Sequence, residues 1–230
     1  MTMYKVLNED GSCCYGGQGR WPLPTKRLDG TWTPGAWLEV EGKLKSCANG
    51  LHACRDEQVL DYLGSAMFEL EYEGEVQDTG DKCVGRKARL LRRFEGWNPR
   101  SQRLFASDCA ERMLPLYEAA YPNDTRPRVA IDTARRYANG EATLQELAAA
   151  SDAAWDAASA AARAAAWDAA WDAARDAAWD AARAAARAAA WDAARAAARA
   201  AAWDAAWGAA WRAERAWQYQ QLCEYLGGAL

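Results

Sequence analysis

The chain has 230 residues, with 28 Lys and Arg against 32 Asp and Glu and a formal net charge of −4. So even a balance supplies no phosphate-neutralising surface by composition alone. Seven cysteines, two of them adjacent at Cys13 and Cys14, do not read as a disulfide framework; they point to thiols kept reduced in a cytoplasm.

Met1 to Asp10 lacks the basic start and apolar run of a secretory signal. Asp or Arg breaks the later alanine tract too often for a membrane span, which needs about 18 apolar residues in a row. The expectation is therefore a cytoplasmic protein without a membrane partner.

In chain order, Tyr4 to Leu7 predicts a short strand closed by a Glu9-Asp10-Gly11 turn, and a loop rich in Gly, Pro and Trp runs from Cys13 to Gly35. Trp37 to Glu41 alternates apolar and acidic residues, as a strand with one wet face does. Gly50 to Cys54 predicts another strand, after which Asp56 caps a short helix carrying Val59, Leu60, Tyr62 and Leu63. Met67 to Val76 alternates again. It sets Met67, Glu69, Glu71, Glu73 and Glu75 on one side, with Phe68, Leu70, Tyr72 and Val76 on the other. Lys82 to Arg93 reads as its basic partner strand, so the two charge runs are expected to pair across the ladder.

From Arg100 the period becomes helical, and Leu104, Cys109, Met113, Leu114 and Leu116 are expected to share a buried face. Asn123 to Pro127 opens a second helix that stops at Asn139-Gly140, and Thr143 to Glu146 has capping-box spacing for a third.

From Trp155 to Arg215 every fourth residue is Trp, Arg or, once, Ser159, and most positions between are Ala. Ala is the best helix former, and neither Gly nor Pro occurs between Gly140 and Gly208. A four-residue step advances about 400° on a helix, so each large side chain sits about 40° past the last and the large residues spiral round the rod. Trp167, Trp171, Trp203, Trp207 and Trp211 nevertheless gather in one broad sector, while Trp155, Trp179 and Trp191 fall outside it. Arg187 and Arg199 stand four residues from indoles, within reach of cation–π contact. An isolated rod would leave many indoles in water, so the helix is expected to fold back on itself or pack on another chain.

The expected fold class is α+β: a mixed α/β domain over residues 1–97, connecting helices over 98–142, and an alanine-rich helical region over 143–230. Reactive residue types are densest at Cys47, His52 and Cys54. They could supply three zinc ligands, with Cys13, Cys14 or Cys83 as a fourth, but the usual two-residue cysteine spacing is missing. Buried, inert thiols explain them better, and no metal or other cofactor is expected. No phosphate-binding glycine loop, metalloprotease helix or serine elbow occurs, and Gly16-Gly17-Gln18-Gly19 does not stand between a strand and a helix.

Two segments resemble known families. Residues 4–94, through Gly50-Leu51-His52-Ala53-Cys54, Asp81-Lys82-Cys83-Val84 and Ala88-Arg89-Leu90, resemble an uncharacterised N-terminal domain of bacteriophage and bacterial proteins. Residues 121–150, from Tyr121-Pro122-Asn123-Asp124-Thr125-Arg126-Pro127-Arg128 to Gly140-Glu141, look like the start of a helical immunity-protein domain of bacterial polymorphic-toxin systems.

The leading expectation is a non-enzymatic interaction or binding protein, phage-encoded or carried on a mobile element. Its helical region would associate with itself or bind a host protein through Trp167, Trp171, Trp203, Trp207, Trp211, Arg187 and Arg199. The alternative is an enzyme or nucleotide-handling N-terminal domain centred on His52 and Cys54. Base stacking would use the same Trp and Arg groups, which leaves a nucleic-acid or nucleotide ligand open. Ice binding fits poorly, because bulky and charged residues interrupt any flat face.

Overall fold

The computed structural model describes residues 2–15, 17, 19–157, 159 and 208–227, the side chain of Met113 apart. Its strands are β1 (Met3–Leu7), β2 (Thr25–Lys26), β3 (Trp32–Thr33), β4 (Leu38–Glu39), β5 (Leu51–Arg55), β6 (Ala66–Asp78) and β7 (Cys83–Arg93). A 3₁₀ turn over Asp56–Tyr62 separates β5 from β6, and two helices follow, α1 (Pro99–Ala120) and α2 (Arg126–Ala138). Residues 144–157 and 208–225 are also helical. The mixed sheet followed by helices is the α+β order expected from the periodicities. The chain divides into two units: Met1–Phe105 with Arg215–Leu230, and Ala106–Glu214.

In the first unit, β1 pairs antiparallel with β5 on one side and β6 on the other. β6 pairs with β7, and β7 returns to β5, so four strands close a ring. Closure satisfies both edges of each strand and leaves little template for stray pairing. β4 extends the pairing of β7 at Lys87 and Ala88, beyond the part that β5 occupies. Leu7, Trp21, Ala53, Phe68, Leu70 and Leu90 pack as one buried cluster.

The charge runs form the expected ladder. Glu69 meets Arg92 at 2.5 Å, Glu73 meets Lys87 at 2.8 Å, Glu75 meets Arg86 at 3.0 Å, and Glu71 also pairs with Arg89. All eight side chains keep part of their surface in water, so each pair contributes at most about 1 kcal/mol. Their larger effect is on register, because a one-residue slip would set like against unlike faces. Two expectations for β6 need correction. Met67 is fully buried rather than on the wet glutamate side, since both faces of β6 are covered at that end. Val76 is exposed, because both faces of β6 lie in solvent from Glu73 onward; the register also shifts between Glu73 and Val76, where Gly74 adopts a φ of 83°. A bulge adds a residue to one strand and swaps the faces beyond it.

The chain's last described turns belong to this same unit. Leu222 and Leu226 are buried, and a Cβ on Gly96 would sit 2.3 Å from the Tyr225 carbonyl oxygen, so only glycine allows that approach. The Tyr4 and Tyr219 hydroxyls lie 3.1 Å apart, and the Phe105 and Tyr225 rings meet edge to face. Arg215 holds Asp61 through both terminal nitrogens, at 2.7 and 2.9 Å, and donates to the Glu57 carbonyl at 2.8 Å.

At the start of α1, Asn98 Oδ1 accepts from the backbone N–H groups of Arg100 and Ser101, and Pro99 occupies a first-turn position that needs no donor. In the second unit α1 and α2 are joined by Arg135, which donates to Asp108 at 2.7 Å and Glu111 at 2.6 Å. Leu114 and Ile131 are buried. Leu116, expected on the buried face, is instead 68% exposed. It stands two residues from Leu114, about 200° round the helix and so on the opposite side. The capping box forms as its spacing predicts: the Thr143 N–H donates to Glu146 Oε2 at 2.7 Å, and the Glu146 N–H donates to Thr143 Oγ1 at 3.2 Å. Among the described residues no helix is long and apolar enough to cross a membrane.

Candidate functional site

The closed ring of the first unit borders a cavity of about 780 Å³, a volume typical of small-molecule sites. β1 contributes Lys5, β5 contributes His52 and Cys54, and the long loop after β1 contributes Cys13, Cys14 and Trp21. The loop reaches there because the Trp21 N–H donates to the Gly11 carbonyl at 2.9 Å and its ring enters the core. Gly50, at the entry to β5, has a φ of 145°, and a Cβ there would lie 2.2 Å from Val84. No other residue type would let β5 run so close to β7.

His52 faces this cavity as a neutral ring. Its Nε2 accepts from the Cys47 N–H at 3.1 Å. Burial, with Lys5 and Lys82 adding repulsion, holds its pKa below the usual histidine value. That hydrogen bond also fixes Cys47 in a left-handed backbone conformation, φ 61°. The Cys47 thiol is exposed and its pKa is lowered by the Ser46 hydroxyl, with Lys82 also contributing. Cys54 is the reverse case: burial pushes its thiol up to about 12, so it stays protonated.

This geometry decides what the three sequence candidates can do together. The Nε2 lone pair of His52 is already used by the Cys47 backbone, and Cys54 is a buried neutral thiol. Zinc needs an unprotonated nitrogen and thiolates. Among the described residues no group of three His, Cys, Asp or Glu side chains is arranged to hold a metal ion. A nucleophile activated by His52 would need the Cys47 sulfur, not its N–H, on the imidazole.

The cations of the cavity differ in their company. Lys82 is held by Asp81 at 2.9 Å and donates to the Tyr62 hydroxyl at 3.2 Å; Asp81, foremost, holds its pKa well above the usual value. Arg20 pairs with Asp10 at 2.5 Å. Lys5 donates to the His52 carbonyl at 2.8 Å and stands 4.8 Å from the centre of the Trp21 ring, with no carboxylate in ion-pair range among the described residues. Lys5 was not legible as a site residue in the sequence. Its signal was a lone cation at the centre of a strand that is otherwise apolar.

Of the residues expected to make contacts in the helical region, Trp167, Trp171, Trp203, Trp207, Arg187 and Arg199 lie outside the described residues. Trp211 is described and exposed, as is Trp155, 74% of whose surface is open. Leu116, Val129 and Leu144 are exposed on the helices before the repeat.

Comparison with known families assigns both halves of the chain. Residues 1–98 match a domain of unknown function, DUF7666. Residues 98–225 match the model described as Imm-5 like putative immunity protein, and that match runs through the whole four-residue repeat. No curated protein and no solved structure matches the chain.

Proposed function

The chain belongs to the Imm-5 like immunity protein family, and from that premise we propose that it is a non-enzymatic binding protein that neutralises a protein partner by docking on it through the helical region. It acts in the cytoplasm and is carried by a phage or another mobile element. The observation that carries this reading is the family match across residues 98–225, which includes the Trp and Arg repeat. Two further features support it. Leu116, Val129, Leu144 and Trp155 offer apolar surface on the helices, and indole and guanidinium groups of the kind the repeat supplies dominate the binding energy of protein interfaces. Free cysteines throughout the described residues suit a reducing compartment.

Self-association is the second reading, favoured by the four-residue step itself. That step spreads indoles round the helix and gives a second copy of the repeat something to cover. Both readings are tested by co-expressing the full chain with a panel of bacterial toxin domains, then following growth and the mass of the purified species by light scattering. Protection from one toxin together with a stable complex of the two chains supports neutralisation by binding. Protection without any complex, or a complex that leaves the toxin active, contradicts it. A homo-oligomer in the absence of toxin supports self-association.

A further inference from the structure

We propose that the cavity of the β-stranded unit is a binding site for a small organic carboxylate with a flat apolar body, anchored by the Lys5 ammonium. The first argument is charge. Lys82 and Arg20 each have a carboxylate at hydrogen-bond distance, whereas Lys5 has one carbonyl partner and the face of Trp21. An ammonium has three donors, so the His52 carbonyl leaves Lys5 two to offer. Of the thiols beside Lys5, Cys54 is held protonated by burial and Cys14 is shifted the same way. Burial lowers the pKa of Lys5 itself, so a carboxylate bound beside the amine is what holds it in the charged ammonium form. Glu39 also borders the cavity, but it is exposed and stands opposite Lys87 in the β4–β7 pairing.

Charge also sets the ligand's valence. One cation without a carboxylate calls for one negative charge, which fits a monoanion better than a phosphate ester. The rest of the lining sets the ligand's body. Half-buried Leu38 and Leu51 pack against the core on one side, and the Tyr62 ring borders the cavity beside them. A site with apolar walls and one well-placed polar anchor is the usual design for small organic ligands. Lys5 pairs with Phe68 of β6 and its Nζ donates to the His52 carbonyl, so it is held in place before any ligand arrives.

The test uses the full chain, naphthoate as the probe, and its neutral isostere naphthamide. Calorimetry should show naphthoate binding at one site per chain and naphthamide at least about tenfold more weakly, the usual cost of losing a charge-assisted hydrogen bond. Lys5→Met should weaken naphthoate by a similar factor and leave naphthamide unchanged. Since that variant also loses the bond to His52, a measurement on the unaltered protein accompanies it. With naphthoate at about ten times its Kd, acetylation of Lys5 by an amine-reactive ester should slow about tenfold by mass action, while exposed Lys43 reacts as before. Equal binding of naphthamide, absence of naphthoate binding, or an unprotected Lys5 would each overturn the proposal. No protein partner enters the assay, so the outcome is separate from that of the immunity reading.

Discussion

The two halves of this chain differ in where their exposed apolar side chains stand. The β-stranded unit packs a continuous apolar cluster inside a closed ring, leaves Tyr15, Leu28 and Val76 in solvent on its loops and strand end, and pairs surface charges across one ladder. The helices before the repeat leave Leu116, Val129 and Leu144 in solvent, as the first residue of the repeat, Trp155, also is, although they too are cross-linked by ion pairs such as Arg135 with Glu111. Apolar groups set in solvent along helices gain from a partner that covers them. The difference teaches where to look for recognition of a protein and where for a small ligand.

The largest effect that would break this comparison concerns Leu222 and Leu116. Leu222→Ala should cost about 2–5 kcal/mol in denaturant unfolding, as for any fully buried leucine, whereas Leu116→Ala should stay within about 0.5 kcal/mol. Equal costs would mean that the last turns are no part of the β-stranded core, or that Leu116 is covered in solution.

Gly85 sharpens the same point at a smaller cost. A Cβ there would lie 2.3 Å from the Tyr72 ring, whose hydroxyl donates to the Leu51 carbonyl at 2.8 Å. Gly85→Ala should therefore destabilise by about 1–3 kcal/mol through overpacking, and Tyr72→Leu in the same chain should relieve part of that loss. Thermal melts of the single and double variants decide it.

The sequence made some of this legible and left the rest obscure for physical reasons. The paired charge runs were readable because cross-strand complementarity depends on residue type and period alone, and the Thr143–Glu146 box because its four positions suffice to define it. The exposure of Val76 was not readable, since which end of a strand is covered depends on what packs over it and not on its alternation. Trp21 was hidden in a loop with no period to mark it as core, flanked by Arg20 and Pro22. The hairpin of β2 and β3 is only two residues per strand, too short for alternation to register. The return of Tyr219, Leu222 and Leu226 to the first unit was signalled only by their spacing, which any amphipathic helix shares. As for the site, Cys47, His52 and Cys54 do border one cavity, but sequence adjacency concealed that the histidine is engaged by a backbone N–H. Lys5 emerges only once the carboxylates near every cation are located.

The smallest predicted effect is one of pH. The folded-state pKa of His52 lies below the ordinary 6.5, chiefly through burial. Above pH 6.5 the residue is neutral in both states and contributes no slope. As pH falls below about 6.5 the unfolded chain takes up the proton first, so stability declines until the folded-state value is reached. His52→Asn should flatten the stability profile between about pH 6.5 and 5, a window above that in which paired carboxylates titrate. An unchanged slope would show that His52 is protonated as readily in the fold as outside it.

The central claim, that protein recognition lies in the repeat and not at the β-unit cavity, is tested most directly by toxin protection with two variants of the full chain. In one, Trp167, Trp171, Trp203 and Trp207 are replaced together by Ala, which keeps or raises helix propensity. In the other, His52 is replaced by Ala. The account predicts that His52→Ala protects growth as the unaltered chain does, while the four-tryptophan variant, still helical by circular dichroism, fails to protect. Loss of protection in His52→Ala, with the four-tryptophan variant fully protective, would contradict it and move the function to the cavity.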